Sequence, residues 1–110
     1  MAKTPDESAS VITCDMSGIV QQYAADAASL FGWTPAEVIG KLSVATFHPP
    51  ENVPTLVPRL LKTAVDAGKF EEEVVLQRKD GSRFRAVLTV RPIYRDGKQV
   101  GYMGYTRPLE

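Results

Sequence analysis

Hydrophobic and polar residues alternate through the last third of the chain, and this alternation predicts three strands. The strands are predicted over residues 70–78, 82–91 and 99–106. An Asp-Gly pair separates each strand from the next, and Asp-Gly suits the positive φ angles of tight hairpin turns. Because successive side chains of a strand point to opposite faces, the middle strand turns one apolar row to the core: Phe84, Ala86, Leu88 and Val90.

A shorter hairpin and a first helix are predicted nearer the N-terminus. The β-branched run at residues 11–13 and the segment 19–23 indicate two strands, with Ser17-Gly18 as the turn between them. Asp26 is a residue type that caps helices, so a short helix is predicted to begin there and to cover residues 27–31.

The middle of the chain carries two further helix signals. Thr34-Pro35-Ala36-Glu37 has the pattern of a capping box with proline at the first helical position. Residues 42–54 are rich in proline and are predicted to be irregular. The longest helix is predicted over residues 56–67 with Thr55 as its N-cap. This start would place Pro58 in the first turn, where a backbone N–H has no helical acceptor to lose.

Composition and charge narrow the classes of function. The 110 residues suit one domain, and one cysteine with one histidine excludes a disulfide framework and a four-ligand zinc site. Thirteen basic and thirteen acidic residues cancel, so the chain lacks the positive charge that drives nucleic-acid binding. It also lacks a 20-residue apolar stretch and a signal-peptide pattern. We therefore expect a cytoplasmic protein without nucleic-acid or direct membrane contact.

Five short motifs follow one another along the chain. They are Asp15-Met16-Ser17-Gly18-Ile19, the stretch 30–41, Phe47-His48-Pro49, Arg78-Lys79-Asp80-Gly81 and Gly101-Tyr102-Met103-Gly104. Motifs in this order resemble those of the PAS domain, a sensory module of signalling proteins. The resemblance covers residues 11–107, which leaves a flexible lead-in at 1–10 and a tail or artificial chain end at 108–110. It implies an α+β fold, a five-stranded antiparallel sheet with short helices and one longer helix packed on one face.

The resemblance also implies a cavity between the sheet and the helices, where some PAS domains hold haem, flavin or a metabolite. Light-sensing LOV members need a cysteine just after the Gly-Lys step, and Gly40-Lys41-Leu42-Ser43 has none. They also use a glutamine on the last strand, where Thr106 stands. Haem-binding members place a histidine on the longest helix, which has none. We expect no cofactor or metal, with non-covalent flavin or an unknown small molecule left open. Candidate pocket residues, each of which also suits plain core packing, are Phe31, Trp33, Phe47, Leu60, Val74, Phe84, Leu88 and Met103.

The sheet face opposite the core is mixed in polarity, which suits either ordinary solvent exposure or contact with a partner. PAS domains often dimerise or dock through this face, so the resemblance implies a homodimer and contact with an output domain of the same parent chain. Pro108 argues against a helix that leaves the last strand directly. The candidate interface residues are Val75, Gln77, Arg85, Val87, Thr89 and Arg91.

The function that we expect is signal transduction. The chain would be a non-catalytic module of a larger, bacterial signalling protein of the two-component kind, and would sense a small ligand or mediate dimerisation and docking. Catalysis is not expected, because the inner face of the middle strand offers no acid or base. The alternatives are a purely structural dimerisation domain with a filled core, a flavin or haem redox sensor, and a small cone-fold isomerase.

Overall fold

Five strands and three α-helices make up the part of the chain that the structure describes, residues 10–109, with Ala25 described through its backbone alone. The structure is a computed structural model. In chain order the elements are β1 (Ser10–Asp15), β2 (Val20–Tyr23), α1 (Ala25–Phe31), α2 (Pro35–Val38), two 3₁₀ turns (Val44–Phe47 and Pro50–Asn52), α3 (Val53–Ala67), β3 (Phe70–Gln77), β4 (Arg83–Arg95) and β5 (Lys98–Pro108). The predicted lead-in lies outside the described residues except for Ser10, which is buried in β1. Glu110 of the predicted tail also lies outside the described residues.

All five strands form one antiparallel sheet in the order β2-β1-β5-β4-β3. The first strand therefore pairs with the last, at the centre of the sheet. Helix α3 packs on β3 and β4, and α1 packs on β1. The predicted α+β fold, with one longer helix over one face of a five-stranded sheet, is confirmed.

The two Asp-Gly hairpins close in different ways. In the second, Asp96 and Gly97 both have positive φ angles, 53° and 80°, between the paired residues Arg95 and Lys98, as a two-residue turn requires. In the first, only Gly81 has a positive φ angle, 89°. Asp80 instead accepts hydrogen bonds at Oδ1 from the backbone N and the hydroxyl of Ser82, at 2.9 and 2.6 Å. Both Asp-Gly pairs therefore lie in hairpin turns, but only the second has positive φ at both residues.

Two predicted helix starts are also wrong. Helix α1 begins at Ala25, and its N-cap, Ala24, makes no side-chain cap bond, so that Asp26 lies inside the first turn. Helix α3 begins at Val53, directly after the 3₁₀ turn at Pro50–Asn52, which places Pro58 inside the helix. Pro58 is exposed, and solvent can bond to the carbonyl that it leaves without a donor.

The predicted capping box of α2 is confirmed. The Glu37 backbone N donates to Thr34 Oγ1 at 3.3 Å, and the Thr34 backbone N donates to Glu37 Oε1 at 2.9 Å. Glu37 Oε2 also accepts from Lys79 Nζ at 2.6 Å. The hydrogen bonds from Lys79 and Thr34 lower the pKa of this carboxyl to about 2. The box therefore starts the helix and ties it to the β3–β4 turn.

Aromatic rings form the centre of the core between helices and sheet. The Phe31 ring lies 4.7 Å from the Phe47 ring and 5.6 Å from the Phe84 ring, measured between centroids. Tyr23 stacks on Phe47 at 5.8 Å and donates its hydroxyl to the Ala27 carbonyl at 3.2 Å. Such contacts between rings add to the stability gained from burying their area. They hold α1 and the first 3₁₀ turn against the sheet.

We predict that Gly101→Ala destabilises the fold by about 2 to 3 kcal/mol, because a Cβ at Gly101 would overlap the Cys14 carbonyl oxygen and the two strands would have to separate. Urea unfolding measures the effect. Gly104→Ala is the matched control on the same strand, since a Cβ there meets Ile12 O at 3.8 Å and Leu88 Cδ1 at 3.9 Å, ordinary contact distances. Equal stability of the two variants would contradict the prediction.

Candidate functional site

A cavity of about 60 Å³ lies between the inner face of the sheet and the helical layer. Its sheet wall comes from β1, β3, β4 and β5, and its other wall from α1, α3 and the first 3₁₀ turn with the residue that follows it. No lysine, arginine, aspartate or glutamate is among the described residues that line it. The lining residues are Ile12, Cys14, Phe31, Val44, Phe47, His48, Leu60, Leu61, Leu76, Leu88, Val90, Tyr102, Gly104 and Thr106.

The structure brings together half of the predicted pocket residues. Four line the cavity: Phe31, Phe47, Leu60 and Leu88. The other four, Trp33, Val74, Phe84 and Met103, lie elsewhere.

Met103 lies on the wrong face of the sheet for a pocket residue. Its strand partners are Arg91 on β4 and Thr13 on β1, whereas its neighbours Tyr102 and Gly104 line the cavity. Because side chains alternate along a strand, Met103 belongs to the outer face. The prediction of Met103 as a pocket residue is therefore wrong.

Val74, Phe84 and Trp33 belong to the core around the cavity and not to its lining. Val74 is buried on β3. The Phe84 ring lies between Phe31 and the Arg78 guanidinium, which sits 4.3 Å from the ring centroid. The half-buried Trp33 ring lies 5.3 Å from Lys79 Nζ, and its buried Nε1 has no partner in the described part of the chain.

Sequence reasoning assigned no pocket role to the polar residues that line the cavity. Thr106 and Tyr102 come from β5, Cys14 from β1 and His48 from the loop before α3. The placement of Thr106 at the LOV glutamine position could have indicated its inward direction. Burial raises the pKa of the Cys14 thiol to about 11, so the thiol is protonated and unreactive at neutral pH.

His48 is the most unusual group of the cavity wall. His48 directly follows the 3₁₀ turn at Val44–Phe47, and only 7% of its surface is exposed to solvent. Its Nδ1 atom is buried without a hydrogen-bond partner in the described residues. Burial lowers the pKa of the imidazole to about 4, so the ring is neutral at pH 7.

The six predicted interface residues share the outer face, as the register of β3 with β4 shows. Val75 lies opposite Arg85, and Val87 lies opposite Glu73. Arg85 donates to Glu73 at 2.9 Å. The remaining predicted members are Gln77, Thr89 and Arg91. The face continues onto β5, where Met103, Tyr105 and Arg107 pair with outer-face residues of β4. It continues further onto β1, where Val11 pairs with Tyr105 and Thr13 pairs with Met103.

Metal and membrane features are not evident in the described residues. Within residues 10–109, no group of three or more histidine, cysteine, aspartate or glutamate side chains is placed to hold a metal ion. None of the helices described is both long and apolar enough to cross a membrane.

We predict that the free energy of unfolding falls by about 2 kcal/mol between pH 7 and pH 5, because of His48. The unfolded histidine takes a proton near pH 6.5, whereas the folded one resists protonation until about pH 4. The stabilisation is therefore complete above pH 6.5 and is lost as the pH falls towards 4. Urea unfolding at both pH values measures the loss. His48→Gln removes the only histidine of the chain and should flatten the dependence, and an unchanged slope in this variant would contradict the assignment.

Comparison with known proteins agrees with this geometry. A family model of the PAS fold matches residues 7–109. The chain is 32% identical over 99 residues to Two-component system protein A of the fungus Emericella nidulans, and the match covers 90% of this chain but 14% of that protein. The chain thus spans about a seventh of the curated relative.

Solved structures share the fold at lower identity. A PAS domain from Colwellia psychrerythraea superposes with a TM-score of 0.87 at 22% identity, over 92% of this chain and 86% of that one. The PAS domain of a LuxR-family transcriptional regulator from Burkholderia thailandensis, in complex with ethanol, superposes with a TM-score of 0.77 at 16% identity. The match covers 92% of this chain and 88% of that one. The LOV domain of the blue-light photoreceptor Aureochrome1 superposes with a TM-score of 0.75 at 19% identity, over 92% of this chain and 81% of that one. Sheet order, cavity and family match together show that the chain belongs to the PAS family.

Proposed function

We propose that the chain is the sensory module of a two-component signalling protein and that its cavity holds a small ligand. The observation that carries this proposal is the cavity of about 60 Å³ between sheet and helices, with a histidine in its wall whose buried Nδ1 has no partner among the described residues. The match to Two-component system protein A supports the signalling context. That relative is fungal, so a bacterial source stays a prediction. The domain itself contributes sensing and no catalysis.

The size of the cavity favours a small molecule over a flavin. An apolar protein cavity of about 150 Å³ holds one benzene molecule, and this cavity is well below half of that volume. A three-ring isoalloxazine would require the core around Phe31 and Phe47 to open. The ethanol complex of the Burkholderia thailandensis PAS domain is a case in which this fold occurs with a ligand of suitable size.

The same strands that line the cavity carry the outer face, which gives a ligand a route to a partner. On β5, Thr106 lines the cavity while Tyr105 and Arg107 point outwards. On β4, Leu88 lines it while Val87 and Thr89 point outwards. A ligand that shifts the inner side chains also shifts the outer row. It changes the populations of two sheet arrangements only by its difference in affinity for them.

For the partner, we propose a second copy of the chain bound through the outer face. Half-buried apolar residues lie at the centre of that face, among them Val11, Val87 and Tyr105. Glutamates on β3 flank this centre on one side. Arg107 on β5 lies across Val87 from Glu73, and Arg91 lies on β4 beyond Thr89. Neither arginine forms an ion pair within residues 10–109. A two-fold contact places the same patch on both copies, so the glutamates of one copy would meet the arginines of the other.

The second candidate function is a structural dimerisation domain whose cavity takes no ligand. The mixed outer face favours a dimerisation domain as much as it favours a sensor, because each of these functions needs a surface that binds a partner. Occupancy of the cavity separates the two functions.

We predict that xenon enters the cavity of the wild-type chain and shifts the methyl resonances of Ile12, Leu60 and Leu88 in a ¹H–¹³C NMR spectrum. Gly104→Ala adds a methyl group to the cavity wall and should reduce these shifts by more than half. The exposed methyl groups of Val65 on α3 serve as the internal control. A wild-type spectrum that does not respond to xenon would favour the structural dimerisation domain.

We predict that Val87→Glu weakens self-association of the chain at least tenfold, because the new carboxylate would have to lose its hydration at the apolar centre of the proposed interface. Sedimentation equilibrium over a concentration series measures the change. Val65→Glu, at a 38% exposed position on α3, is the matched control and should leave association unchanged. A wild-type chain that stays monomeric at millimolar concentration would refute the dimer, provided that circular dichroism shows it folded.

A further inference from the structure

The wall of the cavity carries no charge among the described residues. Nine of the fourteen lining residues have an aliphatic or phenylalanine side chain, and Gly104 has none. Burial keeps the Cys14 thiol protonated and the His48 imidazole neutral at pH 7, because it moves both pKa values away from neutrality. A charged ligand would lose its hydration there without meeting a counter-charge, which is costly. The wall therefore excludes ions.

The volume of the cavity limits the size of a ligand. An apolar cavity of about 150 Å³ holds one benzene molecule, which is about 25 Å³ for each of its six carbon atoms. At that ratio a cavity of about 60 Å³ holds two or three non-hydrogen atoms. A larger molecule enters only if residues of the wall move apart.

The polar side chains of the wall give a ligand few hydrogen bonds. The Nδ1 atom of His48 has almost no accessible surface, so a molecule in the cavity does not reach it. The Cys14 thiol is a weak hydrogen-bonding group, and the Tyr102 backbone already bonds to it. A polar molecule would lose bonds to water that these two groups do not replace, whereas an apolar molecule has no such bonds to lose. Of two ligands of equal size, the cavity therefore favours the less polar.

We propose that the cavity binds an uncharged, apolar molecule of two or three non-hydrogen atoms, which is the size and polarity of a dissolved gas. This inference rests on the proposed sensory function and adds to it the chemical class of the ligand. So few atoms limit the affinity to a dissociation constant of roughly millimolar. The site therefore responds to a ligand that reaches such concentrations.

Three probes of equal size test the polarity of the ligand on the full chain. Ethane, methanol and methylammonium each have two non-hydrogen atoms, and they are apolar, polar and charged in that order. NMR titration through the methyl resonances of Ile12 and Leu88 compares their affinities, with ethane applied under pressure. We expect ethane to bind at least tenfold more tightly than methanol, because the hydroxyl group loses its bonds to water. Methylammonium should leave these resonances unchanged.

The size limit is tested with a second alkane. Butane has more apolar surface than ethane, but its four carbon atoms exceed the room that the wild-type cavity offers. We expect wild-type chain to bind butane more weakly than ethane. Leu88→Ala removes three carbon atoms from the wall and should reverse this order, followed through Ile12. The wild-type order of the two alkanes decides the question by itself if Leu88→Ala does not fold.

Two further variants locate the bound molecule on β5. Gly104→Ala places a methyl group 3.9 Å from Leu88 Cδ1 and should weaken ethane at least threefold. Thr106→Val is the matched control, because it keeps the size of a lining side chain and removes its hydroxyl group. It should leave the affinity for ethane unchanged.

The results distinguish failure of this inference from failure of the sensory function. If methanol binds as tightly as ethane, or if methylammonium binds, the apolar class is wrong and the cavity remains a ligand site. If butane binds the wild-type chain more tightly than ethane, the size limit is wrong. Equal binding of ethane by Gly104→Ala and the wild-type chain would overturn the location. If neither ethane nor xenon enters the wild-type chain, both the ligand class and the sensory function are wrong.

Discussion

The pairing of β1 with β5 is the contact on which the rest of the structure depends. Six residue pairs, from Ser10↔Thr106 to Asp15↔Gly101, join the two ends of the chain at the centre of the sheet. Closing a loop of about 90 residues costs conformational entropy, so this pairing has to be favoured by close packing. Gly101 permits it, because any side chain there would overlap the Cys14 backbone. The cavity exists only because this pairing sets Ile12 and Cys14 beside Tyr102 and Thr106.

A second link holds the helical layer over the sheet. The β3–β4 turn donates two hydrogen bonds to the end of α1, from the Lys79 backbone N to Phe31 O at 2.8 Å and from Arg78 Nε to Leu30 O at 3.1 Å. The Lys79–Glu37 ion pair is exposed and contributes little by comparison. The end of α1 is thus tied to this turn through two of its carbonyl groups, and the ring of Phe31 forms part of the cavity wall. The turn that closes a hairpin also positions the helix that covers the cavity.

The parts of the fold that could be predicted are those in which local pattern and packing agree. The inner row of β4 and the capping box at Thr34 and Glu37 follow from spacing alone, and the structure confirms both. The face of β5 could not be predicted in the same way. Tyr102 and Met103 are adjacent and both large and apolar, so alternation favours neither, and only pairing with β1 decides between them.

The local sequence pattern also could not predict where α3 begins or that His48 is buried. Pro50, Pro54 and Pro58 are each compatible with a first helical turn, so several starts satisfy the same rule. A lone histidine before two prolines carries no signal of burial. It becomes a cavity residue only because the 3₁₀ turn before it packs Phe47 against Phe31 and Tyr23. Four of the fourteen lining residues could be predicted from inward-facing apolar residues, whereas the polar atoms of the cavity depend on tertiary packing.

A small cavity sets a condition on the proposed signalling. A cavity of about 60 Å³ holds a ligand of only a few non-hydrogen atoms. Even about four such atoms gain at most about 6 kcal/mol of binding free energy, and only the difference between two states is available to shift them. Reversing an equilibrium from 1:99 to 99:1 takes about 5.5 kcal/mol. Such a ligand can therefore control association only if the two sheet arrangements are already close in free energy. The outer face suits that condition, because its apolar residues are half-buried among charged neighbours and do not form a large hydrophobic surface. A strongly apolar face would hold the dimer together whatever the cavity contained, so the modest polarity of this surface is what a sensor of small molecules requires.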